Sequence, residues 1–343
     1  MRRLLNTLFV LREDSYLSLK NENIIIHYSD ESKQAVPLLG LEEIFSFSYK
    51  GASPELIGRC VELGIGLTFL TPQGRFLARP SGRSKGNVLL RKAQYRISDD
   101  EDKGCLIARH MIMGKIFNCR WQVERTRRDH AMRVDVEKLL LCSANLKTAY
   151  ETALRSENLD TLRGIEGEAA KAYFGVFDDL ILNQKDEFPF QGRNRRPPID
   201  RVNAMLSFGY RLLEQDCASS LESVGLDAYV GFLHRDRPGR QSLALDLMEE
   251  LRPVLVDSQV LTLINSKQMS GSCFQKEENG AVFLTDKGKR VFLEAWQTHK
   301  REVIMHPFLK EKILWGLVPY VQALLLARHI RGDLEAYPPF LWK

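Results

Sequence analysis

Pro80-Ser81-Gly82-Arg83-Ser84-Lys85-Gly86-Asn87 separates two sequence periodicities, and that switch decides the fold. Proline, glycine and serine at this density favour turns over regular elements, so the segment reads as a linker. On its N-terminal side the chain reads as strands. Ser15-Tyr16-Leu17-Ser18-Leu19 and Ile24-Ile25-Ile26-His27-Tyr28 flank a turn at Asn21-Glu22-Asn23, and Phe45 and Phe47 alternate with Ser46 and Ser48. One helix interrupts them. Ser53 is its N-cap, Pro54 its first helical residue, and Gly64 stands where a C-cap glycine belongs. Gly66 to Thr71 and Phe76 to Ala78 suggest a second hairpin around Pro72-Gln73-Gly74. Beyond residue 88 the spacing turns helical. Ile165, Ala169, Ala172 and Gly175/Val176 recur on one face, as do Val202, Leu206, Gly209 and Leu213, then Leu243, Leu247 and Leu251, and another apolar helix covers 323–331. The expectation is an α+β chain of two domains. A small β-rich domain spans 1–80, a basic linker 81–95, and a larger all-α domain 96–343.

Composition sets limits. The 343 residues are 44% hydrophobic, enough for extended cores. The net charge of +5, from 49 basic and 44 acidic residues, is too mild to identify a nucleic-acid binder by itself. Cys60, Cys105, Cys119, Cys142, Cys217 and Cys273 are scattered with no C-x-x-C spacing, which argues against a structural zinc site and for reduced thiols in a cytoplasmic protein. Met1-Arg2-Arg3-Leu4-Leu5 imitates a signal peptide, but Asn6, Thr7 and then Arg12-Glu13-Asp14 break the pattern, so a first strand is expected. No apolar run is long enough to span a membrane.

Three segments place ionisable residues in or beside apolar stretches. They are Gly164-Ile165-Glu166-Gly167, Gly231-Phe232-Leu233-His234, and Ser242-Leu243-Ala244-Leu245-Asp246-Leu247-Met248-Glu249-Glu250. Burying such groups near one another costs several kcal/mol unless something compensates. A divalent cation does so, and one Glu, one His and an acid from a helical turn form a mostly-oxygen donor set suited to Mg²⁺ or Mn²⁺. That points to metal-dependent phosphate chemistry. Plainer readings exist. Glu166 fits an exposed helix carboxylate, and His234 fits a structural histidine. Asp246, Glu249 and Glu250, at i, i+3 and i+4, fit the solvated side of an amphipathic helix, and spacing alone does not choose among them. Gly164 and Gly167 each cost about 1 kcal/mol within a helix, so a close approach by another backbone or by DNA is expected there.

Basic residues surround these segments. No acid occurs from Leu63 to Ser98, while Arg75, Arg79, Arg83, Lys85, Arg91, Lys92 and Arg96 do, as a solvated linker or as a strip along a phosphate backbone. Arg193, Arg195 and Arg196 precede the segment holding Asn203, and Arg235, Arg237 and Arg240 follow His234. Both groups are nucleic-acid-binding candidates, since arginine forks suit phosphate oxygens. Arg125, Arg127 and Arg128 lie among acids and read as a salt-bridged helix face.

The three acidic and histidine segments, together with Leu38-Leu39-Gly40-Leu41-Glu42-Glu43-Ile44, Gly64-Ile65-Gly66-Leu67-Thr68-Phe69-Leu70, Gly74-Arg75-Phe76-Leu77 and the run from Arg195 to Tyr210, fall in one order from about residue 15 to about residue 255. That ordered set resembles the CRISPR-associated integrase-endonuclease of the spacer-acquisition (adaptation) step. The resemblance implies Glu166, His234 and Glu249 as metal ligands and Asp246 as a neighbouring catalytic acid, in the second shell or on a second metal. Some members carry Asp at the position of Glu249. It also implies a homodimer, double-stranded DNA as substrate, and a small ferredoxin-like companion protein that bridges two dimers, with the N-terminal domain in dimerisation and partner contact. The implied reaction is insertion of a captured DNA fragment by attack of its 3′-hydroxyl on a backbone phosphate, aided by Mg²⁺ or Mn²⁺. No protein nucleophile is required, in keeping with the lack of a Ser-His or Cys-His signature. The alternatives are a non-catalytic DNA-binding scaffold, and a repair or mobile-element nuclease on the same fold.

Overall fold

A computed structural model describes residues 6–72, 76–80, 82, 88–194 and 197–343. The described residues up to Gly82, with 299–301, form one unit, and those from Val88 to 298 and from 302 to 343 form another.

The first unit contains β1 (Asn6–Val10), β2 (Tyr16–Lys20), β3 (Asn23–His27), β4 (Lys33–Pro37), β5 (Leu41–Ser46), α1 (Pro54–Leu63), β6 (Gly66–Leu70) and β7 (Phe76–Ala78). One sheet has the order β1-β5-β6-β7, with β1 and β6 parallel to β5 and β7 antiparallel at the edge. The parallel step from β5 to β6 needs a crossover, and α1 supplies it. Its ends follow local chemistry: Ser53 Oγ accepts from Leu56 N, and Gly64 takes the left-handed conformation at φ 71°. The other sheet is the meander β2-β3-β4. Lys20 pairs with Asn23 across a two-residue turn, with Asn21 and Glu22 both at positive φ, which suits the right-handed twist of the strands. Leu17, Ile24, Ile26, Ile44, Leu56, Leu67 and Phe69 form the core. The turn of the second expected hairpin, at 73–75, lies outside the described residues, as do Met1 to Leu5 and, in the linker, 81 and 83–87.

The second unit contains α2 (Val88–Ser98), α3 (Glu101–Asp129), α4 (Val136–Leu154), α5 (Leu159–Gly175), α6 (Arg201–Ser223), α7 (Ser242–Glu249), a π-helical turn (Arg252–Asp257), α8 (Ser258–Asn265), β8 (Phe274–Lys276), β9 (Val282–Leu284), α9 (Asp286–Lys300), β10 (Val303–Met305), β11 (Lys312–Leu314) and α10 (Val318–Ile330). Two expectations need revision. Residues 88–95, placed in the linker, begin α2, whose buried Leu90 and Gln94 sit four apart on one face. The helical region also carries two antiparallel hairpins, β8–β9 and β10–β11. Among the described residues no strand crosses 100–250.

α3 is the axis of this unit. It is buried around most of its circumference and packs against α4, α5, α7 and the π turn. At Gly114 a Cβ would come within 2.8 Å of Glu250 Cβ, so the helix meets the end of α7 at backbone distance. The same junction captures residues 337–342. Glu250 accepts from Tyr337 Oη, from Gln322 Nε2 at 2.8 Å and from Phe340 N at 2.8 Å. Asn118 Nδ2 donates to Glu250 O and Phe340 O, and its Oδ1 accepts from Trp342 N. His306, buried, accepts at Nδ1 from Leu309 N, which leaves Nε2–H to donate to Gln322 Oε1.

Burial pushes the Glu250 carboxyl up to about 7 despite those donors, and pushes Asp257, on the π turn beside the hydroxyl of Tyr210, up to about 6. Both bind a proton more tightly folded than unfolded. Their stabilisation is therefore complete below the ordinary carboxylate range and disappears as pH rises through 6 to 7. Thermal melts should show a higher Tm at pH 5 than at pH 8, with most of the decline below pH 7.5; a flat profile would contradict this assignment.

Candidate active site

His234 closes the turn that follows α6, and three elements hold that turn. Gln94 Nε2 on α2 donates to Asp227 O and Val230 O, both at 2.8 Å, while its Oε1 accepts from Asp227 N at 2.9 Å. Ser98 Oγ donates to Gly231 O. Arg163 on α5 donates from Nε and Nη2 to Leu233 O at 3.0 and 2.6 Å. Asp246 on α7, completely buried, accepts from Phe232 N, Leu233 N and His234 N, and from His234 Nδ1 at 2.5 Å. This packing requires glycine at 231, because a Cβ there would lie 2.8 Å from Asp246 Oδ2 and 2.9 Å from the Ser242 carbonyl carbon.

The Asp246 carboxylate fixes the imidazole. Nδ1 carries the proton that it donates, and Nε2 presents its lone pair on the opposite side. His234 Nε2 lies 4.0 Å from Glu249 Oε1. Glu249, one helical turn beyond Asp246, is buried between cations. Arg252 Nη1 lies 3.0 Å from Oε1 and Lys115 Nζ 2.7 Å from Oε2. Burial alone would raise its pKa, but Arg252, Lys115 and His234 outweigh burial and hold it below the usual carboxylate range. Lys115 Nζ also contacts Glu166 Oε1 on α5. For the lysine, burial favours the neutral form, and Glu249 and Glu166 together overcome it and keep the ammonium charged.

Glu166 and Glu249 thus share one buried ammonium, and His234, oriented by Asp246, approaches Glu249. The donors suit Mg²⁺ or Mn²⁺: carboxylate oxygens, one imidazole nitrogen, and Glu249 Oε2, which touches Lys115 but has no aligned hydrogen-bond donor. A separation of 4.0 Å between His234 Nε2 and Glu249 Oε1 is one that two ligands about 2.1 Å from a shared cation can span. As they stand, among the described residues, no three His, Cys, Asp or Glu side chains are close enough to hold an ion. The Lys115 ammonium stands between the two glutamates.

Glu250 faces the opposite way, into the Tyr337 and Gln322 network. Gly164 and Gly167 have no neighbour within 4 Å of where a Cβ would stand, so nothing described in the chain supplies the expected close approach beside Glu166. A cleft of about 280 Å³ opens next to His234, lined by Arg163, Asp160, Asn158 and Arg235 among others.

The arginine candidates divide. Arg235 and Arg237 are exposed and Arg240 is half-buried, on the loop after His234, and Arg235 Nη2 reaches Asp160 at 3.3 Å. Arg193 is committed elsewhere. Its Nη1 donates to Asn203 Oδ1 at 2.6 Å, its Nη2 donates to Ser207 Oγ, and the guanidinium lies over the Tyr210 ring, so it braces α6 from within instead of facing a backbone. Arg195 and Arg196 lie outside the described residues.

The sequence reading does not single out Lys115 or Arg252. Lys115 carries the same signature as the acids, an ionisable residue in the apolar run Met111-Ile112-Met113-Gly114-Lys115-Ile116. Arg252 reaches Glu249 from i+3 and opens the π turn, with Pro253 directly after it.

The CRISPR associated protein Cas1 family model matches residues 8–298. The CRISPR-associated endonuclease Cas1 1 of Chlorobaculum tepidum is 47% identical over 343 residues, covering all of both chains. A casposase bound to integration product has a TM-score of 0.83 at 23% identity, over 98% of this chain and 93% of that one. A Cas6-RT-Cas1–Cas2 complex superposes on 99% of this chain with a TM-score of 0.81 and 22% identity, over 36% of the larger chain. A family match across most of the sequence, and a relative at this identity along its full length, place this chain in the Cas1 family of CRISPR-associated proteins.

Proposed function

We propose that the protein is a divalent-metal-dependent DNA integrase and endonuclease that inserts captured fragments into a CRISPR array. The observation that supports this reading is the linkage of Glu166 to Glu249 through Lys115, with an Asp246-oriented His234 4.0 Å from Glu249 and beside an open cleft. Glu166, Glu249 and His234 Nε2 would hold Mg²⁺ or Mn²⁺. When bound, the ion supplies Lewis-acid polarisation of the scissile phosphoryl oxygen and neutralises its developing charge. Asp246 keeps the imidazole tautomer and the 232–234 turn in place. Arg252 and Lys115 would hold Glu249 below the usual carboxylate range. Arg235 lines the cleft, and it would contact a backbone phosphate there together with Arg237 and Arg240 of the same loop. The attacking 3′-hydroxyl comes from the captured fragment, so the protein needs no nucleophile of its own.

The reading extends to a homodimer acting on double-stranded DNA, and to a small ferredoxin-like companion, here a Cas2 protein, that bridges two dimers. The Cas2-bearing complex among the structural neighbours supports the companion. The test is strand transfer of a short duplex into a repeat-bearing plasmid, with and without the companion and Mn²⁺. Product that needs the metal and disappears in Glu166→Ala is expected. Wild-type rates from Glu166→Ala would return the scaffold reading.

DNA affinity should fall linearly with log salt, and replacing Arg235, Arg237 and Arg240 together by Ala should flatten that slope. An unchanged slope in a filter-binding series would remove these arginines from the interface.

A further inference from the structure

Lys115 stands where the proposed metal would have to enter. Its ammonium is almost completely buried, touches one carboxylate on α5 and one on α7, and is the reason the two glutamates sit at ammonium contact. A divalent ion bound by both glutamates would lie within a few ångströms of that charge, in a site with little water to screen it. The repulsion between them would be large. Cation and ammonium therefore compete for the same carboxylate oxygens.

The interior offers the ammonium another position. A cavity of about 20 Å³, room for one water-sized group, is lined by Lys115, Tyr173, Tyr210, Arg252 and Asp257 among others. Asp257 is buried there and accepts from Tyr210 Oη at 2.5 Å. Tyr173 Oη is buried beside the same carboxylate. A carboxylate flanked by two tyrosine hydroxyls is what a displaced ammonium would need.

From this arrangement we infer that Lys115 is a displaceable internal counter-cation. It clamps Glu166 to Glu249 in the metal-free protein, withdraws toward Asp257 and Tyr173 when a divalent ion enters, and so sets the concentration at which the site fills. The inference rests on the metal reading proposed above and adds a residue that binds no metal itself.

The experiment is Mn²⁺ titration of the full-length protein at pH 8, with free Mn²⁺ followed by electron paramagnetic resonance and Tm measured in parallel. Lys115→Met removes the competitor and should bind Mn²⁺ at least tenfold more tightly than wild type. It should also melt lower without metal and gain more in Tm on adding it. Lys115→Arg, which keeps the charge, should bind no more tightly than wild type. If Lys115→Met does not fold, the comparison moves to Glu166→Gln against Lys115→Met/Glu166→Gln, a pair closer in net site charge, and the double variant should bind more tightly. Wild-type binding with equal or weaker binding in the lysine-free variants overturns the counter-cation role and leaves the metal reading standing. No binding in any variant overturns both.

Discussion

His234→Ala should reduce the proposed metal-dependent strand transfer by about a thousandfold while the Tm stays within a few degrees of wild type. The His234 ring nitrogen Nε2 lies 4.0 Å from Glu249 Oε1 and would be the imidazole ligand of the proposed ion. Losing a preorganised group of this kind from a phosphoryl-transfer site removes several kcal/mol of transition-state stabilisation. Stability changes little because the ring is partly exposed and Asp246 keeps its three backbone donors. Glu166→Gln should behave alike. Glu249 does not share that tolerance: it is buried between Lys115 and Arg252, and removing it leaves two buried cations short of an anion, a strongly destabilising change. Asp246→Asn tests the layer behind. An amide can present only one oxygen to the backbone N–H groups of Phe232, Leu233 and His234, so the turn loosens and Mn²⁺ affinity falls by about tenfold to a hundredfold. Single-turnover assays with matched melts check all of these, and a His234→Ala protein that integrates DNA at the wild-type rate would end the catalytic assignment.

Glu250→Ala has its largest effect on folding. The carboxylate is completely buried and is the acceptor for Phe340 N, Gln322 Nε2 and Tyr337 Oη, so its removal strands the donors of Phe340 and Tyr337 at about 1–3 kcal/mol each, while Gln322 Nε2 keeps Pro338 O, and opens space beside Gly114. A loss of about 3 kcal/mol or more is expected, or roughly 6–12 °C in Tm for a unit of this size. Tyr337→Phe, which deletes one of those donors together with its own hydroxyl, should cost less. A Glu250→Ala Tm within 2 °C of wild type would show that the network contributes little.

What the sequence disclosed follows how local each cause is. The α1 caps at Ser53 and Gly64 and the Asn21-Glu22 turn depend on neighbours a few residues apart, and they are legible. The parallel pairing of β1 with β5 joins residues about 35 positions apart and carries no local mark. Strands of three residues, as in β8 to β11, are too short to show a period. At the site, the ionisable residues in apolar runs were readable, but their roles were not. Asp246 and Glu250 differ by four positions in one helix segment and point to unrelated partners. Lys115 meets Glu166 across 51 positions. Arg193 read as a phosphate contact because its neighbours are basic, and only the fold of 193–203 turns it inward.

The junction of α3 with residues 337–342 has a consequence for biosynthesis. Asn118 and Phe340 are 222 positions apart. At a translation rate of about 5–20 residues per second, roughly ten to forty-five seconds pass between their appearances on the ribosome. Through that interval Asn118, and then Glu250, lack the partners that residues 337–342 supply, and the nascent chain holds α3, α5 and α7 before it holds what seats them. Chaperones and proteases would therefore meet an intermediate in which Glu166, His234 and Glu249 are already synthesised and the support behind them is still missing.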